Sequence, residues 1–172
     1  MIVKKMPILQ GFPDFETVKF FTGKFFQKYN FSPVFYDIET TGLSRKSTFL
    51  YLIGAVGIED ETWYFHQWMA ESDREEETIL RIFSQFLQQC DLLISYNGER
   101  FDQPYLEARY EKYGLPSPFD HKMSLDLYLT LKPLKTLLKL PALKQPCLEE
   151  FLGIKDRIYN NGKECIQLYK DF

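Results

Sequence analysis

The chain has 172 residues, 45% of them hydrophobic and 17% aromatic. That is the size of one domain with its own core, and it excludes a disordered tail. A formal net charge of −3 excludes a strongly basic nucleic-acid coat protein, and the longest nearly unbroken apolar run, Phe49 to Ile58, is about half of what a membrane span needs.

Residues 1–32 give the weakest pattern. Phe15, Phe21, Phe25, Phe26 and Tyr29 are partly helical in spacing, but Gly11, Pro13 and Gly23 interrupt them, so this segment is expected to be an N-terminal extension packed on the core. Lys4, Lys5, Asp14 and Glu16 with no apolar leader give no sign of a signal peptide. Val34 to Thr40 predicts a strand, Phe49 to Ile58 a fully buried strand, and Thr62 to Met69 a third after the turn Glu59-Asp60-Glu61. Their short connections predict an antiparallel meander. From Asp73 to Gln89, Ile79, Ile82, Phe83, Phe86 and Leu87 fall at helical spacing behind an acidic first turn that suits the helix dipole. Asp91 to Asn97 predicts a fourth strand, and Asp102 to Tyr113 a helix stopped by Gly114 and Pro116. A short fifth strand lies around His121 to Leu125. Helical stretches broken at Pro133, Pro141, Pro146 and Gly153 follow. The order predicts an α/β domain with a mixed five-stranded sheet.

Cys90, Cys147 and Cys165 are widely spaced with no C-x-x-C, which argues against a disulfide framework and a zinc site and for thiols in a cytoplasmic protein. With only His66 and His121 available, a metal would be held by oxygen, which points to magnesium or manganese. Both histidines read as groups satisfying local hydrogen bonds. Residues 59–77 hold eight acids against Arg74, a net of −7, and read as a turn and a helix start. Residues 122–144 hold five lysines against Asp126, a net of +4. If Asp126 to Leu140 is helical despite Pro133, then Lys132, Lys135 and Lys139 share one face. That face is either a phosphate-binding stripe or the solvated side of an amphipathic helix.

The sharpest feature is Asp37-Ile38-Glu39-Thr40-Thr41-Gly42-Leu43. Alternation along a strand puts Asp37 and Glu39 on one face, where two like charges repel unless a cation lies between them. The alternative is an edge strand with both acids in water. The second feature is Tyr96-Asn97-Gly98-Glu99-Arg100-Phe101-Asp102. A buried strand runs through a polar turn into a helix, with Asp102 at its start. Asp102 is either a helix cap, as Pro104 just inside the helix also suggests, or a third metal ligand beside Asp37 and Glu39.

Together these blocks resemble the DnaQ-like, or DEDD, 3′–5′ exonuclease superfamily on the RNase H-like fold, most closely the bacterial YprB-type domains. Tyr51-Leu52-Ile53-Gly54 and Asp126-Leu127-Tyr128 extend the resemblance, which covers roughly residues 33–172. It implies hydrolysis of phosphodiester bonds in DNA or RNA from a 3′ end, at a two-metal magnesium or manganese site held by four carboxylates. Asp37, Glu39 and Asp102 match three of the four. Thr41 and Leu43 match positions that touch the terminal nucleotide, with Asn97 on the same surface and Phe101 as a stacking platform. Thr41-Gly42 has the plainer role of turning the chain, and Leu43 and Phe101 that of packing.

The family's fourth carboxylate, in an H-x-x-x-D or Y-x-x-x-D motif, has no match. Leu168-Tyr169-Lys170-Asp171-Phe172 resembles the stretch upstream of that motif, and Tyr169 and Asp171 stand too close together to be it. The expectation is an exonuclease domain lacking its last helix, weak or inactive as it stands, with pairing to another copy as a way to cover the exposed side. The alternative is a catalytically incompetent nucleic-acid-binding domain of the same fold.

Overall fold

The computed structural model describes residues 1–8, 14, 17, 32–154 and 162–172. The strands are β1 (Ile2–Pro7), β2 (Pro33–Thr40), β3 (Leu50–Glu59), β4 (Thr62–Met69), β5 (Leu92–Ser95) and β6 (Met123–Asp126), in the order β1-β4-β3-β2-β5-β6. The first four pair antiparallel, while β5 runs parallel to both β2 and β6. The helices are α1 (Glu76–Phe86), α2 (Asp102–Lys112), α3 (Leu127–Leu131), α4 (Gln145–Phe151) and α5 (Gly162–Asp171).

The sheet has two different faces. Val34, Tyr36 and Ile38 of β2, with Ile53 and Ala55 of β3 and Trp68 of β4, point into a core closed by Ile79, Leu80 and Phe83 of α1 and Tyr105, Leu106 and Tyr110 of α2. Alternation then puts Phe35, Asp37 and Glu39 on the opposite face. The β3–β4 hairpin turns on Asp60 and Glu61, both at positive φ (46° and 63°), the backbone signature of a tight turn matched to strand twist.

The prediction of five strands is corrected to six. β1 adds to the free edge of β4, with Ile2 opposite Met69 and Pro7 opposite Tyr64. All six of its residues are exposed, so there is no burial pattern to mark it. Instead the backbone ladder holds it, together with Lys5 on Glu59 (2.6 Å) and over the Tyr64 ring, and the terminal amine on Glu71 and Glu75. The aromatic spacing at 15–29 lies outside the described residues. The helix from Asp126 to Leu140 is also corrected. It shortens to five residues of α3 and one 3-10 turn, Lys132–Leu134, because Pro133 supplies no backbone donor, and Lys139 adopts a positive φ of 53°. Lys132, Lys135 and Lys139 are therefore exposed on a turn-rich segment, without the common helical face expected of them.

A buried ion pair ties these layers together. Glu76, fully buried at the start of α1, accepts Arg109 Nε of α2 at 2.6 Å and a second guanidinium nitrogen, Tyr113 OH at 2.8 Å, and the backbone N–H of Leu50 at 2.8 Å. Arg109 Nη1 also donates to the Arg45 carbonyl at 2.9 Å. The acidic segment 59–77 is thus more than a turn and a helix start. Replacing Glu76 by Ala strands the guanidinium, and urea unfolding is expected to show a loss of about 3–5 kcal/mol. A Glu76→Leu/Arg109→Leu double variant should recover part of that loss, and a double variant no more stable than Glu76→Ala would contradict this account.

Candidate active site

The three sequence-predicted acids come from two places. Asp37 and Glu39 lie on β2 opposite Gly54 and Leu52 of β3, and Gly54 contributes no side chain over Asp37. The register slips between Glu39 and Thr40, which leaves Tyr51 as the extra residue of a bulge. Tyr51 is re-aimed onto Tyr169 of α5, with rings stacked at 4.1 Å, and Tyr169 OH donates to the Ala70 carbonyl at 2.8 Å. Asp102 begins α2 beyond the end of β5. It is 6% exposed, and the cap residue is Phe101, so the reading of Asp102 as a cap gives way to an acid inside the first turn.

The turn between β5 and α2 is built by an acid that sequence reasoning set aside. Asp126 ends β6, is 3% exposed, and accepts four backbone N–H groups: Asn97 (2.9 Å), Glu99 (3.2 Å), Tyr128 (2.9 Å) and Leu129 (3.3 Å). It caps α3 and clasps the loop leading to Asp102. Asn97 takes φ 63° there, a conformation asparagine tolerates, so its backbone has a turn role. Asp126 was legible only as a strand end before a helix, which is a capping signal. Its hold on Asn97 and Glu99 needs the β5–β6 pairing.

Gly98 lies in a tight cradle. A Cβ there would stand 2.5 Å from Ser95 Oγ and 3.1 Å from Asp102 Oδ2. Ser95 Oγ and Tyr51 OH are buried and make no hydrogen bond of standard geometry among the described residues. Both hydroxyls border the carboxylates.

Electrostatics link the three acids. Burial, followed by repulsion from Asp37 and Glu39 and a smaller push from Asp126, raises Asp102 to about 7, against a hydrogen bond from its own backbone N–H. Burial and then Asp37 raise Glu39 to about 6. Asp37 keeps a solvent-facing side, yet the protein atoms packed around its carboxyl raise it too. Chemically this all-oxygen donor set fits a hard divalent cation. The side chains are not gathered, however: among the described residues, no three His, Cys, Asp or Glu form a group able to hold a metal ion.

Asp37 and Glu39, but not Asp102, line a groove of about 460 Å³ on the sheet face opposite α1 and α2, walled by Phe35, Leu52, Val56, Phe65 and Tyr96. Beside it the 41–48 turn is laced by Thr41 N–H to Phe49 O (3.0 Å) and by Thr48 N–H to Ser44 O (3.0 Å). Leu43 projects from that turn at 83% exposed. Phe101 packs its ring on Tyr105 at 5.7 Å. Lys132, Lys135 and Lys139 line none of the groove, and Asp171 is an exposed residue accepting from Gln167 at 2.8 Å.

The raised carboxyl pKa values carry a sign. A folded-state pKa above the unfolded one means that the native state holds its proton more tightly, so stability is greatest below the unfolded pKa and falls as pH rises through the folded pKa. For Asp102 the window runs from about 4 to about 7. In chelator, Asp102→Asn is expected to match the parent's melting near pH 4 and to exceed its stability at pH 8, by on the order of 1–2 kcal/mol. Thermal melts across that range check this, and a difference independent of pH would count against it.

No curated protein matches the sequence. Among solved structures, the family B DNA polymerase from the archaeon Pyrobaculum calidifontis superposes with a TM-score of 0.65 at 18% identity, over 82% of this chain and 21% of that one. A structure of exonuclease I gives 0.60 at 13% identity, over 80% of this chain and 38% of that one. E. coli exonuclease I in complex with a dT13 oligonucleotide gives 0.57 at 14% identity, over 80% and 39%. The chain thus spans well under half the length of each, and at these identities the likeness is one of fold. A family model described as RNase H superfamily matches residues 34–172, from the start of β2 through α5, and the chain belongs to that superfamily.

Proposed function

We propose that residues 33–172 form a metal-dependent 3′–5′ exonuclease-type domain that acts on a DNA or RNA end in the cytoplasm. The observation that carries this reading is the placing of three acids, Asp37, Glu39 and Asp102, at the ends of β2 and β5 in an RNase H superfamily domain, where burial raises all three and Asp37 repels the other two. In open α/β sheets that edge is where ligands bind. Three carboxylates raised by burial, with Asp37 repelling the other two, are a poor arrangement by themselves and a good one around a divalent ion. Magnesium or manganese held there supplies charge for the attacking water and for the phosphoryl oxygens. The chain's own residues do the rest. Asp37, Glu39 and Asp102 would hold the ion, and Leu43 meets the terminal base. Thr41 touches the terminal nucleotide, Phe101 offers a stacking surface, and the groove walls exclude water from one side.

Neither Asp126 nor Asp171 is placed to complete a four-carboxylate set. Asp126 spends both oxygens on backbone N–H groups and Asp171 sits on the surface with Gln167. Turnover is therefore expected to be slow, since loss of positioning by about 1 Å costs on the order of a hundredfold in rate. The scattered side chains favour a second reading, a binding domain without turnover.

A 5′-labelled single-stranded oligonucleotide incubated with manganese separates the two. The expected result is slow shortening from the 3′ end, absent in chelator and lowered about a hundredfold by Asp102→Ala. Retained binding with no shortening at any metal concentration would establish the second reading. Titration calorimetry adds a direct test of the ion site: Asp37→Asn should bind manganese at least about tenfold more weakly than the parent, and equal binding removes Asp37 from the ligands.

A further inference from the structure

Beside the carboxylates, the fold brings together two loops that are far apart in sequence. The 42–48 turn carries Arg45 and Lys46, and the 97–101 turn carries Arg100; all three side chains are exposed. The loops touch, with Arg45 Nη2 donating to the Arg100 carbonyl at 3.5 Å. No acid stands within ion-pair distance of any of the three among the described residues. The one acid on either loop, Glu99, is exposed, which leaves the pair of loops net positive.

Buried charged groups hold this rim in place. Arg109, 2% exposed and paired with Glu76, fixes the first loop through the Arg45 carbonyl. Asp126 fixes the second through the N–H groups of Asn97 and Glu99. Within the first loop, Thr48 donates from its backbone N–H to Ser44 O at 3.0 Å and from its hydroxyl to the same oxygen at 2.6 Å. The backbone beneath the cations is thus already ordered, and a ligand need only order the side-chain ends.

We propose that Arg45, Lys46 and Arg100 form a phosphate-binding rim that carries the sugar–phosphate backbone of a single strand whose end reaches Asp37, Glu39 and Asp102. This rests on the nucleic-acid reading above and adds where the strand runs: over the two loops, and away from Lys132, Lys135 and Lys139. Arginine presents a planar fork of donors suited to phosphate oxygens, and among the described residues the Arg45 side chain is engaged through Nη2 alone. Leu43, two residues before Arg45 and largely exposed, offers an apolar contact for a base while the cations take the phosphates. Phosphate contacts of this kind set the register of the strand without reading its sequence.

The test is fluorescence anisotropy with a labelled dT12 oligonucleotide on the full chain, in chelator so that the strand stays intact, across a salt series. Arg45→Ala/Lys46→Ala/Arg100→Ala should bind at least tenfold more weakly at low salt, with a salt slope shallower by about two, since each phosphate contact to a single strand contributes roughly 0.7. Lys132→Ala/Lys135→Ala/Lys139→Ala should bind as the parent does, and Arg45→Lys/Arg100→Lys should recover part of the affinity with the full slope. A rim variant with the parent's affinity and slope overturns the inference alone. A parent that binds no oligonucleotide overturns the inference together with the nucleic-acid reading. Displacement by poly-glutamate as efficient as by unlabelled dT12 would make the rim a general anion surface and also overturn it. Equal melting temperatures for the parent and both triple variants tie the binding losses to the missing cations.

Discussion

The Glu76–Arg109 pair is the constraint on which the arrangement depends. A desolvated carboxylate and guanidinium are stable together only when their remaining hydrogen-bonding capacity is met, and here each demand is met from a different element. Glu76 requires Arg109 of α2, Tyr113 just beyond it and the Leu50 N–H at the start of β3. Arg109 requires the Arg45 carbonyl in the 42–48 turn. One interaction thereby fixes the distance between α1 and α2, the point at which β3 enters the sheet and the loop beside Asp37 and Glu39. An apolar pair could supply comparable packing energy. It could not direct a backbone carbonyl and a backbone N–H to defined positions.

Asp126 does the same on the other side of the site. Its four backbone donors come from the β5–α2 turn and from the start of α3. The loop that delivers Asp102 is thus set by a neighbouring parallel strand as well as by its own residues. Positions on such supported loops are where repulsive charge can be tolerated, because the surrounding hydrogen bonds resist the relaxation that would separate the acids. Burial at these supported positions, with repulsion from Asp37 after it, raises both Glu39 and Asp102.

The two sheet faces divide the labour. The face packed on α1 and α2 is apolar and close-fitting, and it supplies stability. The other carries acids and a trough of Phe35, Leu52, Val56 and Phe65, with the bulge at Tyr51 turning an aromatic ring onto α5 at its end. Period-two alternation along β2 is enough to put stability on one side and chemistry on the other.

That alternation is why much of the fold and part of the site were legible in the sequence. A strand with Asp37 and Glu39 among Val34, Tyr36 and Ile38, the apolar run of β3, the amphipathic spacing of α1 and the stop at Gly114 are local patterns, and local patterns fix element type and facing. The sequence therefore determined the antiparallel meander, the α/β order and the shared face of two acids. Only the tertiary structure decided the features that depend on what lies opposite. β1 has no face to bury and exists as a strand because β4 offers an unpaired edge. Glu76 looked like one more solvated acid in a run of eight, and only the arrival of Arg109 from α2 makes it a core residue. Asp126 read as the end of a strand before a helix, and the pairing of β6 with β5 brings the orphan N–H groups that claim it. The lysines that looked like a stripe lost their common face at Pro133, while Arg45, Lys46 and Arg100, unremarkable along the chain, were joined by two loops meeting in space. Charge acquires its role from its partners, and partners distant in sequence are chosen by the fold.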